Sequence, residues 1–233
     1  QRLTLQGRWR LFERLPASTF SLVESIGLSY AGTLLGRTSG LLGGTPEVHR
    51  SAWRDAEWQR LSPQLPAMSL AQKAELAARI LQAMGLSGQV PELLVLLGHG
   101  SQSANNPQAA GLDCGACCGQ SGEVNARLLA GLLNDAEVRT ELRSRGHELP
   151  AHCQVLAGLH NTSTDEVRIF GQQHLPAALQ PAWQRLRQAL DQAAMRVRQE
   201  RADALGLAAA REQPGKLLDM LRRRARDLSL IHI

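Results

Sequence analysis

The stretch "LLVLLGHGS", Leu93 to Ser101, decides how the rest of the chain is read. Its first five residues, Leu93 to Leu97, are uniformly apolar and lie between Pro91 and Gly98. So short a run without alternation is the pattern of a strand covered on both faces, as in a parallel sheet. A second such run, Val155 to Leu159, follows Pro150 and ends at His160 and "NTSTD". Between them Glu123 to Asn134, "EVNARLLAGLLN", reads as a helix with Val124, Leu128, Leu129 and Leu132 on its buried side. A further helix, Glu137 to Arg145, closes on Gly146. Strand, helical crossover, strand predicts a βαβ unit with parallel pairing. In open α/β sheets ligands bind beyond the carboxyl ends of the strands, and there both runs end on a histidine, His99 and His160.

Working outward, "SLAQKAELAARILQAMG" begins with Ser69 and Gln72 spaced as a capping box and stops at Gly85. Ala74, Ala77, Ile80, Leu81 and Met84 share one face of this amphipathic helix. Residues 1–68 form a helix-and-loop region without clear periodicity, punctuated by "TSGLLGGTPE", Thr38 to Glu47. Downstream, Leu175 to Gly206 reads as one long Arg/Gln/Ala helix, broken by Gln213, Pro214 and Gly215 before a last basic helix, Lys216 to Asp227. The expected organisation is therefore a helix/loop region 1–68, an α/β core 69–171 and a basic helical region 172–227. The tail 228–233, "LSLIHI", resembles a translated sequencing adapter and is expected to be non-native.

The chain has 233 residues, 43% of them apolar, enough to bury one or two sizeable cores. No run of about 18 uncharged apolar residues predicts a transmembrane span. The nearest approach, Thr19 to Gly36, contains Glu24 and reads as core or interface. The start, "QRLTLQGRWRLFERL", is charged throughout and does not resemble a signal peptide. The net charge of +5 is concentrated between Trp183 and Asp227, with eleven Lys and Arg against six Asp and Glu. Such a segment is either a solvated helix face or a surface for an anionic partner. Aromatic residues are not interleaved with its arginines and no nucleic-acid-binding signature occurs, so nucleic acid is not an expected partner.

Three of the four cysteines, Cys114, Cys117 and Cys118, fall within five positions, just after the strand-end His99. They are too few and too clustered for a secreted disulfide framework, which favours a reduced, cytosolic setting. His99 and Cys114 could meet at one zinc ion, since zinc takes imidazole and thiolate. The Gly and Asn residues between them permit a tight reversal. Asp113 adds an acceptor able to orient a ligand. Three readings stay open on the residues alone. In the first, Cys114, Cys117, Cys118 and His99 form a structural zinc site in a non-catalytic scaffold module. Cys114 and Cys117 instead have the spacing of a Cys-x-x-Cys redox pair. In the third reading the thiols are small buried residues without chemistry. Cys153, opening the second strand, reads as a small apolar residue. His147, His152 and His174 read as solvated.

"LLVLLGHGSQSANNPQAAGLDCGACCGQSGEVNARLLAGLLN", followed by "LPAHCQVLAGLHNTSTDEV", resembles the DabA family. These are the large soluble subunits of the two-component Dab inorganic carbon transporter. The resemblance is close from about Glu92 to Val167, and "GHGS", "NNP", "LDCGAC", "GxxNAR" and "HNTxTD" together make it specific. It implies a distant likeness to β-carbonic anhydrases, with one zinc held by two Cys, one Asp and one His. On this chain the matching ligands are His99 and Cys114. The other two would come from an upstream Cys-x-Asp-x-Arg segment, and no Cys precedes Cys114 here. The chain is accordingly expected to be an internal piece of a longer subunit, inactive alone, whose catalytic Asp/Arg pair it lacks. Cys117 is then a thiol packed near the metal. His160 reads equally as a residue behind the ligands or as a strand-end His bonded to the Asn161–Thr164 turn. Cys118 departs from the family pattern, which has Gly there.

The resemblance further implies a CO2 hydratase in which zinc activates water to give bicarbonate. The partner implied is a proton-conducting, antiporter-like membrane subunit (DabB-type). The location implied is peripheral, on the cytoplasmic face of the bacterial inner membrane. Thr19–Gly36 and the basic C-terminal helices are the candidate surfaces for that partner.

Overall fold

Leu93–Gly100 (β1) and Gln154–Asn161 (β2) pair in parallel, with Leu93 beside Gln154 and His99 beside His160. The computed structural model that shows this describes residues 62–86, 90–101 and 121–227. The readings made on Thr19–Gly36, Thr38–Glu47, Asp113, Cys114, Cys117, Cys118 and the tail 228–233 lie outside the described residues. Both strands run about three residues beyond the apolar runs, because backbone pairing continues through their histidines. A third strand, Glu166–Phe170 (β3), pairs antiparallel to β2, so the described sheet is mixed, in the order β1-β2-β3.

The helices follow their local signals. Leu70–Ala83 (α1) is capped by Ser69, whose side chain accepts from Gln72 N while the Gln72 side chain accepts from Ser69 N. Glu123–Asn134 (α2) and Ala136–Ser144 (α3) make the crossover, joined at Asp135, which accepts from Glu137 N and Val138 N as the cap of α3. Asn134 locks this corner to the sheet: its Nδ2 donates to Val155 O at 2.7 Å and its Oδ1 accepts from Val155 N at 3.1 Å. Arg139 ties the same corner to the entrance of β2 by donating to Leu133 O and Cys153 O.

The two sheet faces bury different layers. Leu94 and Leu96 of β1, Val155, Ala157 and Leu159 of β2, and Phe170 of β3 pack with α1, α2 and α3 in the main core. Leu93, Val95, Leu156 and Ile169 meet Leu175, Leu179 and Trp183 on the opposite face. Covering on both faces is what the uniformly apolar strands predicted.

The face that α2 buries is rotated from the expected one. Leu132 is buried and Leu129 packs against the core as expected, but Ala126, Ala130 and Leu133 are buried where Val124 and Leu128 are only half-buried. The cause is close approach at its start: a Cβ on Gly98 would lie 2.3 Å from Gly122 O, so the two glycine backbones touch. A helix held that near a sheet turns its alanines inward. In α1 the inward residues are Ala74, Ala77, Ala78 and Leu81, and Met84 is half exposed.

The long helix expected from Leu175 is shorter. Gln172–His174 and Ala177–Leu179 are 3-10 turns, and the helix proper is Gln180–Arg201 (α4), with Pro181 in its first turn. Proline favours that position because its missing N–H is not needed there. The chain then turns through Gly206 at φ 67°. Pro214–Asp227 (α5) packs Leu217 and Leu221 with Ala202, Leu207 and Ala210 in a small separate core. Among the described residues no helix is long and apolar enough to cross a membrane.

Candidate functional site

The carboxyl ends of β1 and β2 bring the two strand-end histidines together. As partners in a parallel register, His99 and His160 stand side by side on the face of the sheet that carries Val95, Leu156 and Trp183. His99 is exposed and His160 half-buried. The chain leaves β1 after Gly100, and the segment 102–120, with Asp113, Cys114 and Cys117, lies outside the described residues. The described chain resumes at Ser121, and Gly122 N donates to His99 O at 2.7 Å. The described residues on either side of the segment 102–120 thus both lie at this strand end. Gly100 O, facing the other way, accepts from Thr162 N.

For a zinc ion, the described residues offer the His99 imidazole: exposed, at a strand end, and beside the root of the thiol-bearing loop. Imidazole and thiolate together are a donor set suited to zinc. Among the described residues no three His, Cys, Asp or Glu side chains gather around one point. The positions of Asp113, Cys114 and Cys117 relative to His99 fall outside those residues. Cys153, at the start of β2, is fully buried, and its thiol is pushed up by that burial, against the opposing charge of Arg139. It is a packing residue, as expected.

The turn expected after His160 at Asn161–Thr164 is present, and it leads into a strand that the sequence patterns did not reveal. Asn161 to Asp165 reverses the chain into β3, with Ser163 N donating to Asn161 Oδ1 and Asp165 N to Asn161 O. Asp165 adopts φ 57°, a left-handed conformation that Asp and Asn tolerate better than most residues. Its carboxylate is 5% exposed and faces two partners: His160 Nε2 at 3.4 Å and Arg201 Nη1 at 2.5 Å. Arg201 also donates to Thr162 O, and Arg198, one helical turn earlier, donates to Thr164 O.

Glu166 closes the turn in a two-pronged pair with Arg222 of α5, at 2.5 and 3.2 Å. Burial works against ionisation of Glu166. Its hydrogen bonds to Arg222, with the charges of Arg222 and Arg198, outweigh that and hold the carboxyl below its usual range. The same pairing raises the Arg222 guanidinium above its own.

Three arginines of the basic region thus grip one turn. Arg211, on Asp203, and Arg224, on Leu205 O, are likewise spent within the helical region. The segment is a largely solvated face, as one reading had it, in which five arginines are nevertheless paired within the chain. Only the turn's own letters, "NTSTD", hinted at this, because Asn, Ser, Thr and Asp bond their own backbone at reversals. Arg201 lies 36 positions from Asp165, and nothing in its helix pattern marked it.

On the other face, Glu123 opens α2 fully buried and accepts from Arg127 Nη1 at 3.2 Å. The Arg127 guanidinium lies 5.0 Å over the Phe170 ring. Such a pair fixes the helix start directly beneath the cysteine loop's re-entry. Both charges sit close together, where removing either one alone would be costly.

The family model described as "Probable inorganic carbon transporter subunit DabA" matches residues 1–231. A protein of that description from Ectopseudomonas mendocina is 63% identical over 97% of this chain and 28% of its own length. One from Paracidovorax citrulli is 48% identical over 97% of this chain and 27% of its own length. One from Vibrio cholerae strain M66-2 is 48% identical over 88% of this chain and 24% of its own length. No solved structure matches. The chain spans about a quarter of the length of these curated relatives. With a family model covering nearly all of it, on a βαβ core that ends in paired histidines, the chain belongs to the DabA family.

Proposed function

We propose that this chain is the part of an inorganic carbon transporter subunit that supplies half of a zinc site, through His99 and Cys114. The reading rests on one observation: His99 is exposed at the carboxyl end of a parallel strand, and Gly122, eight positions after Cys114, donates to the His99 carbonyl. The remaining ligands, together with the Asp/Arg pair of the reaction, belong to the rest of the longer subunit. When bound, zinc supplies the Lewis acidity that lowers the pKa of water towards neutrality for attack on CO2.

This chain's residues do the positioning. β1 and β2 fix the two imidazoles at one rim. The contact of Gly98 with Gly122 sets the start of α2, and the buried Glu123–Arg127 pair keeps the base of the loop in place. The complete subunit works with a proton-conducting membrane partner and lies peripherally on the cytoplasmic face of the inner membrane. Hydration of CO2 there traps carbon as an ion that cannot leave.

The test is uptake. Cells depending on the full-length subunit and its membrane partner for inorganic carbon should lose uptake to background with His99→Ala. Undiminished uptake at equal protein levels would contradict the proposal.

A further inference from the structure

Resting on that reading, we propose that Asp165 and Arg201 are positioning residues that hold His160 as a second working imidazole of the site, beside His99. Three observations carry this. First, His160 is the register partner of His99, so both imidazoles occupy the same face at the same strand end. Second, the Asp165 carboxylate, 5% exposed, lies 3.4 Å from His160 Nε2. A carboxylate only accepts, so this contact favours a proton on Nε2, with Nδ1 then the acceptor of the ring. Third, Arg201 Nη1, at 2.5 Å from the other carboxylate oxygen, fixes Asp165 from α4.

Asp165 sits at φ 57°, a conformation costly for most side chains, in a turn that four further donors hold: Thr162 N, Ser163 N, Arg198 and Arg222. A hairpin needing only to reverse the chain would be served by glycine at that position. Asp there adds a buried acceptor aimed at an imidazole. His160, half-buried, keeps a side open to the rim, where its ring nitrogen can take a hydrogen bond from the reacting water or from the hydroxyl of bicarbonate.

A double-mutant cycle in the full-length subunit, with its membrane partner present, tests this. Asp165→Asn keeps the size and tolerates the left-handed backbone, but removes the acceptor charge. Its carbon uptake should fall roughly ten- to hundred-fold in maximal rate, as for other groups that orient a site residue, with bound zinc unchanged. His160→Gln should cost a similar factor. In the His160→Gln background, Asp165→Asn should then cost almost nothing more. Arg201→Lys should follow Asp165→Asn more mildly, and serves in the cycle if Asp165→Asn does not accumulate.

Full additivity of the two losses would show that Asp165 acts through the fold and not through His160. A His160→Gln variant with native uptake would overturn the proposal outright. Failure of the zinc reading looks different: His99→Ala would keep both metal and uptake, whatever the cycle shows.

Discussion

His99 and His160 are direct partners in the parallel β1–β2 pair, sixty-one positions apart in sequence and adjacent at one strand end. One follows the first apolar run and the other the second. The crossover between them therefore sets two imidazoles on the same rim, next to where the chain enters the segment 102–120. What keeps that rim in place can be tested by disturbing its supports one at a time.

The closest support is glycine against glycine. A Cβ on Gly98 would come within 2.3 Å of Gly122 O and 2.4 Å of Gly122 C, both backbone atoms that cannot rotate away. Gly98→Ala should therefore push α2 off β1 and cost about 1–3 kcal/mol. Hydrogen exchange in the full-length subunit should show faster exchange across 93–100 and 121–134, with β3 less affected. Unchanged protection there would mean that the contact is not a constraint.

The turn's second clamp is sensitive to pH. Glu166 has a folded-state pKa below its ordinary value, so its pairing with Arg222 stabilises fully above the unfolded-state pKa. That contribution is lost as pH falls through the lower, folded value. Stability measured from pH 7 down towards pH 3 should drop less steeply in Arg222→Ala than in the parent chain, starting from a lower level at pH 7. Because both side chains are partly exposed, the difference should shrink in high salt. Parallel acid profiles would remove Arg222 as the cause.

Cys153 gives a chemical readout of the core. Its thiol is fully buried and its pKa is raised, chiefly by desolvation, so little thiolate is exposed to react. In a variant carrying Cys153 as its sole cysteine, thiol reagents at pH 8 should label it only in denaturant. Rapid labelling of the native protein would show that the entrance of β2 opens readily.

How much of this was legible in the sequence depends on how local each feature is. The two apolar runs, the capping box at Ser69 and the helix Glu123–Asn134 are local patterns, and each appears where it was expected. That His99 and His160 end on one edge followed from the βαβ rule, whereas their direct pairing is set by the register of β1 and β2. β3 was missed because "EVRIF" is short and its polar turn hides the hairpin. The inward face of α2 was misjudged because hydrophobicity alone favours Leu128 over Ala126, whereas a backbone contact at Gly98 favours the small residue.

The Asp165–Arg201 and Glu166–Arg222 pairs join residues 36 and 56 positions apart, and charge composition cannot say which arginine meets which carboxylate. The fate of the basic segment follows from that. Counted as net charge it suggested a surface, and three of its eleven basic residues, Arg198, Arg201 and Arg222, prove to brace the strand-end turn.

The central claim is that His99 and Cys114 grip one zinc ion. Metal analysis of the purified full-length subunit, with x-ray absorption at the zinc edge, tests it most directly. The account predicts close to one zinc per subunit with mixed nitrogen and sulfur ligation, falling steeply in both His99→Ala and Cys114→Ser. Full zinc retained in either variant, with its ligation unchanged, would contradict it.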